Sequence, residues 1–246
     1  MSLMEKLTKK EKRELKKQEW QQKAEQVKRN ALYKKVGIIV AVVLVVLISI
    51  AGLVKLAGSS DSSSSSGINV PPVSKSDITE GNPKSKVTLI EYADFQCPAC
   101  AAYHPIVNQL LADFNGKIFY VYRMFPLSTL HKNAIISAQA GYAAYKQGKF
   151  FEMDDYLFNK QTEWADLSDP TTAFTDYAKL LKLDTNKFTT VMNSDEAKNY
   201  VADSENQASN TGINATPTFF VNGKQIVNPA SYDEFKKIIQ DELNKK

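Results

Sequence analysis

The chain has 246 residues with 31 Lys and Arg against 27 Asp and Glu, a net charge of +4, and only two cysteines. That length admits one ordinary domain with appended segments, and two thiols exclude a disulfide-stapled scaffold or a multi-cysteine zinc module. The charge is unevenly placed: residues 1–35 hold twelve Lys and Arg against five Glu, so a basic tail masks a mildly acidic remainder.

In chain order, residues 1–35 are rich in Lys, Glu and Gln, with scattered apolar positions at Leu7, Leu15, Trp20, Val27 and Leu32. Such a segment reads as a solvated, partly helical cytoplasmic tail beside anionic lipid; no nucleic-acid partner is expected. From Val36 to Val54 nineteen residues carry no charge. At about 1.5 Å per residue this nearly spans a hydrocarbon layer of about 30 Å, and Leu56-Ala57 extend it while Lys55 snorkels. A single transmembrane helix is therefore expected over residues 36–57. The rival is a signal peptide cleaved at Ser49-Ile50-Ala51, but the apolar run continues past that site and the preceding polar region is long. Lys28, Arg29, Lys34 and Lys35 precede the span, so the positive-inside rule keeps the N-terminus cytoplasmic and places the rest outside the cell membrane. Residues 58–79, serine-rich and ending near Pro71-Pro72, read as a linker.

The folded domain is expected over residues 80–246. Residues 87–93 form an apolar strand with one charge, Glu91, in its middle. Residues 98–114 follow with helical spacing (Ile106, Leu110, Phe114) and an internal Pro105 expected to kink the helix; residues 117–123 form a second strand. Strand, helix and strand at this spacing imply a βαβ unit with parallel pairing. A helical block is expected over about 126–195. Thr218 to Val221 and Gln225 to Val227 then flank Asn222-Gly223, a type I′ hairpin signal, and Ser231 with Glu234 matches a capping box opening a final helix.

Cys97-Pro98-Ala99-Cys100 stands at the junction of the first strand and helix. Two thiols at that spacing close readily into a disulfide. The first lies where unpaired N–H groups and the helix dipole favour a thiolate, and Pro98 fits early in the helix because its missing N–H costs little there. Cys97 is the candidate nucleophile and Cys100 the resolving thiol. A formal zinc set of Cys97, Cys100, His104 and His131 lacks the second paired motif of structural zinc sites. Haem attachment would need His where Ala101 stands. No metal and no cofactor are expected. A purely structural disulfide is the plainer alternative.

The strand, Cys97-Pro98-Ala99-Cys100, the helical block and Ala215-Thr216-Pro217-Thr218-Phe219 before a hairpin together resemble the DsbA-like branch of the thioredoxin superfamily, over roughly residues 80–246. The resemblance implies an α/β thioredoxin-like fold with a helical insertion, here preceded by a transmembrane helix in a membrane-anchored bacterial form. It makes Pro217 the cis-proline beside the cysteines, with Thr216 and Pro217 binding a substrate peptide like an added strand, and it gives Glu91 the role of exchanging a proton with the second cysteine. Asp94 and His104 are secondary candidates for tuning the pair. The activity implied is the introduction of disulfides into reduced or unfolded secreted proteins, with an external redox partner completing turnover. Strong oxidants of the family carry His between the cysteines. Ala99 in that place implies a milder potential and keeps a reductase or isomerase open; a tethered module that binds without turnover is the alternative of a different class. Asn214-Ala215-Thr216 matches a glycosylation sequon, read as chance because a glycan there would crowd the proline loop.

Overall fold

The computed structural model describes residues 68–245. The expected tail, transmembrane helix and most of the linker lie outside the described residues. Among the described residues, no helix is long and apolar enough to cross a membrane.

A five-stranded mixed sheet forms the centre, in the order β1-β3-β2-β4-β5: β1 (Ile78–Gly81), β2 (Val87–Ala93), β3 (Ile118–Met124), β4 (Thr218–Val221) and β5 (Lys224–Gln225). Strands β2 and β3 pair in parallel from Val87↔Ile118 to Ala93↔Met124, as the βαβ reading requires. Strand β4 pairs antiparallel to β2, with Glu91 opposite Phe219, and β5 closes the hairpin. At the hairpin tip Asn222 and Gly223 have φ of 49° and 79°, the left-handed values that a type I′ turn demands. Helix α1 (Pro98–Asp113) crosses between β2 and β3 as one continuous helix with Pro105 inside it.

Between β3 and β4 comes a block of six helices: α2 (Ala134–Tyr145), α3 (Phe150–Asn159), α4 (Gln161–Trp164), α5 (Thr171–Leu180), α6 (Thr185–Met192) and α7 (Asp195–Asn210). It therefore extends past the expected limit near residue 195. Helix α7 is strongly polar, with only Ala197, Val201 and Ala208 buried, so hydrophobic spacing did not announce it. Helix α8 (Tyr232–Asn244) opens as expected: the Ser231 hydroxyl accepts from the Glu234 N–H, and the Glu234 carboxylate accepts from the N–H of Ala230.

Alternation along the strands divides the interior. Leu89, Ala93, Tyr120, Tyr122 and Phe219 face the main core with α1, α8 and most of the helical block. Ile90, Tyr92, Val121 and Phe220 face a smaller cluster closed by Ala208, Ile213 and Phe125. Glu91 has the parity of Leu89 and Ala93, so its carboxylate points toward the main core.

The domain begins earlier than residue 80. Ile68 and Val70 pack on the smaller cluster. Buried Arg123 donates to the carbonyls of Pro71 and Pro72, to Tyr92 Oη and to both Asp77 oxygens at 2.8 and 2.9 Å. The prolines placed in the linker are thus docked by one guanidinium. The edge strand β1 follows directly, where Gly81 has φ +87° and a Cβ would stand 2.5 Å from the Ile118 carbonyl oxygen.

Candidate active site

Strand β2 delivers the chain to a turn in which the Cys97 N–H donates to the Asp94 carbonyl at 3.0 Å. Cys97 is the N-cap of α1, with extended backbone (φ −73°, ψ 120°), and Pro98 occupies the first turn. Pro98 and Ala99 are exposed. Cys97 is 7% exposed and Cys100 fully buried. This difference follows from position: the first cysteine sits at the helix mouth, and the second, three residues on, turns toward the sheet.

The two thiols are pushed in opposite directions. Cys97 is lowered from 9.0 to about 5, chiefly by a hydrogen bond from the Cys100 thiol; desolvation opposes this, while the Thr216 side chain and the N–H groups of Cys100 and Ala99 add to it. Cys100 is held well above 9.0 by burial first, then by its bond to Cys97 and by the nearby charges of Cys97 and Glu91. At neutral pH Cys97 is therefore a thiolate and Cys100 a thiol.

The proline loop packs against this pair. The Thr216–Pro217 peptide is cis, and the Cys97 thiol lies 3.4 Å from the Thr216 carbonyl oxygen. The loop is fixed by Thr218 Oγ1 donating to the Ala215 carbonyl (2.7 Å) and by the Asn228 amide donating to the Pro217 carbonyl (2.8 Å). Thr216 Oγ1 is buried with no partner in the protein, leaving its hydroxyl free to donate to a Cys97 thiolate.

Glu91 is 3% exposed, and its Oε2 accepts from Tyr120 Oη at 2.6 Å. Burial raises its carboxyl from 4.5 to about 7, against the lowering effect of the Tyr120 bond. Its charge is among the influences that hold the Cys100 thiol up.

The structure separates the formal zinc set. His131 Nδ1 lies 2.7 Å from Asp94 Oδ2, and Asp94 also accepts from the N–H groups of Gln96 and Leu127. His104 instead lies between Asp154 and Asp155. Asp94 is thus a brace for the loop that carries the cysteines.

Three further positioning residues are unmarked in the sequence. The Gln161 amide donates to the carbonyls of Phe95 (2.7 Å) and Cys97 (3.0 Å). The Gln96 amide donates to the Ala165 carbonyl, and its oxygen accepts from the Asn133 N–H at 2.6 Å. These bonds tie the cysteine turn to the helical block. Gln96 adjoins the motif and could have been suspected; Gln161 and Asn133 give no local signal.

A thioredoxin family model matches residues 73–241. The fold is similar to the crystal structure of oxidised BdbD from Bacillus subtilis, at 25% identity and TM-score 0.65, covering 73% of this chain and 99% of that one. It is also similar to alpha-DsbA1 from Wolbachia pipientis, at 25% identity and TM-score 0.62, covering 70% and 92%. Among curated sequences, the Na(+)/H(+) antiporter NhaA 1 of Mycolicibacterium gilvum is 36% identical over 153 residues, 61% of this chain and 24% of that protein. The chain thus spans about a quarter of the length of the curated relatives it matches.

Proposed function

Because the chain belongs to the thioredoxin family and its structural neighbours are DsbA-type thiol–disulfide oxidoreductases, we propose that it introduces disulfides into reduced secreted or surface proteins. One observation carries this reading: a thiolate-forming Cys97 at the mouth of α1 beside a fully buried Cys100 and a carboxyl near neutrality.

The cycle starts from the Cys97–Cys100 disulfide. A substrate thiolate attacks Cys97 Sγ; a substrate–Cys97 bond forms, the Cys97–Cys100 bond breaks, and the electron pair leaves on Cys100 Sγ. Glu91, protonated below about pH 7, gives its proton to Cys100, which holds it tightly. A second substrate thiolate attacks the substrate sulfur of the mixed disulfide, and Cys97 departs as a thiolate. Its low affinity for protons makes it the better leaving group. The substrate has lost two electrons to the cysteine pair, and an external redox partner must remove them. The backbone at Thr216 and Pro217 is placed to align the substrate strand while this occurs. The exposed Ala99 side chain adds no donor to the backbone N–H groups that face the thiolate, and that supports a milder oxidant and, as second reading, a reductase or isomerase on the same site.

The apolar, charge-free run and its basic flank support a single-pass anchor at 36–57, a cytoplasmic segment at 1–35 and an extracellular domain joined by a short tether. Sodium–proton antiport is the named activity of the curated relatives, and nothing in the cysteine site supports it here. The test is oxidative refolding of a reduced, disulfide-containing protein in a glutathione buffer. The full chain should accelerate it and Cys97→Ser should not; equal behaviour of the two would leave a binding module as the better reading.

A further inference from the structure

Tyr122 of β3 is a phenol only 1% exposed, and its buried hydroxyl has no hydrogen-bond partner among the described residues. A hydroxyl in that state is costly to bury and calls for a cause. The ring itself is fixed. It stacks on Phe95 with centroids 5.5 Å apart and meets Phe150 edge-on at 5.0 Å, so only the hydroxyl hydrogen is free to turn.

Glu91 is its direct neighbour. The two are register partners in the parallel β2–β3 pair, with strands about 4.8 Å apart and both side chains on the same face. Tyr120, one step back along that face, donates to Glu91 Oε2 at 2.6 Å. The carboxyl therefore shares its face with two phenols, one bonded and one free. The terminal torsion of a glutamate is broad, so the carboxyl can turn toward Tyr122 while keeping Tyr120. From the other strand, β4 brings only Phe219 opposite Glu91.

Burial first, then the charges of Asp154, Glu91, Cys100 and Asp94, hold the Tyr122 phenol far above its ordinary value, so it remains a donor. Three of those four groups do not call on it. Burial pushes Asp154 and Cys100 toward their neutral forms, and Asp94 already accepts from Gln96, Leu127 and His131. Glu91, raised to about 7, is the group whose charge comes and goes near neutrality.

We propose that Tyr122 is a positioning residue that donates a hydrogen bond to Glu91 only while Glu91 is charged. The role rests on Glu91 being the proton carrier of Cys100. While Glu91 holds its proton, the Tyr122 hydroxyl stands unbonded. Once that proton has passed to Cys100, the carboxylate left behind turns its second oxygen to the Tyr122 O–H. Two phenols then hold the buried charge, and neither gives up its own proton. A buried carboxylate with a single donor is costly, and a donor that engages only with the charge lowers that cost without stabilising the neutral acid.

The test uses the full chain with the Cys97–Cys100 disulfide closed, so that neither thiol titrates. The infrared carboxyl band lost in Glu91→Gln is followed with pH in the wild type and in Tyr122→Phe, which keeps the ring stack and deletes only the hydroxyl. The midpoint should lie about one pH unit higher in the variant, the shift expected for one lost bond to a charged group. Urea unfolding supplies the second reading: Tyr122→Phe should match the wild type at about pH 5, where there is no bond to lose, and be less stable at about pH 9. Tyr120→Phe should be less stable at both, since its bond is present in both states. A wild-type midpoint in Tyr122→Phe would overturn the proposal, and so would a stability loss of equal size at the two pH values, the mark of a merely structural hydroxyl. The absence of any titrating band that Glu91→Gln removes would instead overturn the reading of Glu91 as proton carrier, and this role with it.

Discussion

Replacing Glu91 by Gln tests whether a buried neutral carboxyl sits under the cysteines. In the folded protein this group titrates at about 7, against 4.5 when solvated. Between those values the native state holds a proton that the unfolded chain has released, so stability falls as pH rises through the window and levels off above it. The full loss is roughly 3 kcal/mol, at about 1.4 kcal/mol per tenfold change in proton affinity. Gln keeps an oxygen to accept from Tyr120 and carries no charge at any pH; its extra amide N–H adds only a constant offset. Urea unfolding of both proteins with the disulfide closed, from pH 4 to 8, isolates the effect, because other titrating groups cancel in the difference. The variant should gain ~3 kcal/mol on the wild type between about pH 4.5 and 7. Its exchange rate at pH 7 should fall by about tenfold or more, since Cys100 loses its proton partner. A stability difference flat across this range would refute the buried-acid account.

In the reduced protein, alkylation of Cys97 should follow pH with a midpoint near 5, while Cys100 stays protected to well above 9; a Cys97 midpoint at ordinary thiol values would remove the basis for its role. Such a thiolate lowers the reduced state by roughly 2.7 kcal/mol at pH 7, or about 60 mV of added oxidising potential, measurable by equilibration with glutathione. Thr216→Val deletes the unpartnered hydroxyl and should raise the Cys97 midpoint by about one pH unit, the worth of a ~1.5 kcal/mol bond to a charged group. Asp77→Asn leaves Arg123 buried without its carboxylate and should cost about 3 kcal/mol in urea unfolding; an unchanged midpoint would mean that the Pro71 and Pro72 carbonyls suffice.

The parts legible in the sequence were those whose information is local. The β2–α1–β3 unit follows from two apolar runs around a helical period, and the Asn222-Gly223 turn from its need for positive φ. The α8 start follows from Ser231 and Glu234, and the site from Cys97, Cys100 and Pro217. Strand β1 was not legible: Ile-Thr-Glu-Gly has one buried side chain and exists because Tyr122 and its neighbours offer an edge to pair with. The same holds for docking of Pro71 and Pro72, which depends on Arg123 some fifty positions away. Glu91 was singled out as a charge in an apolar strand, but its Tyr120 partner comes from strand pairing across 29 positions. Gln161 and Asn133 look like ordinary surface polar residues until the helical block folds over the cysteine turn.

The account rests on Cys97 being the sulfur that carries a substrate. Cys100→Ser removes the resolving thiol while leaving Cys97 at the helix mouth, so cells expressing the full-length variant should accumulate mixed disulfides between it and exported proteins. These should be visible on non-reducing gels and abolished by reductant or by adding Cys97→Ser. Adducts that persist without Cys97, or a Cys100→Ser protein that forms none while the wild type still accelerates refolding, would contradict it.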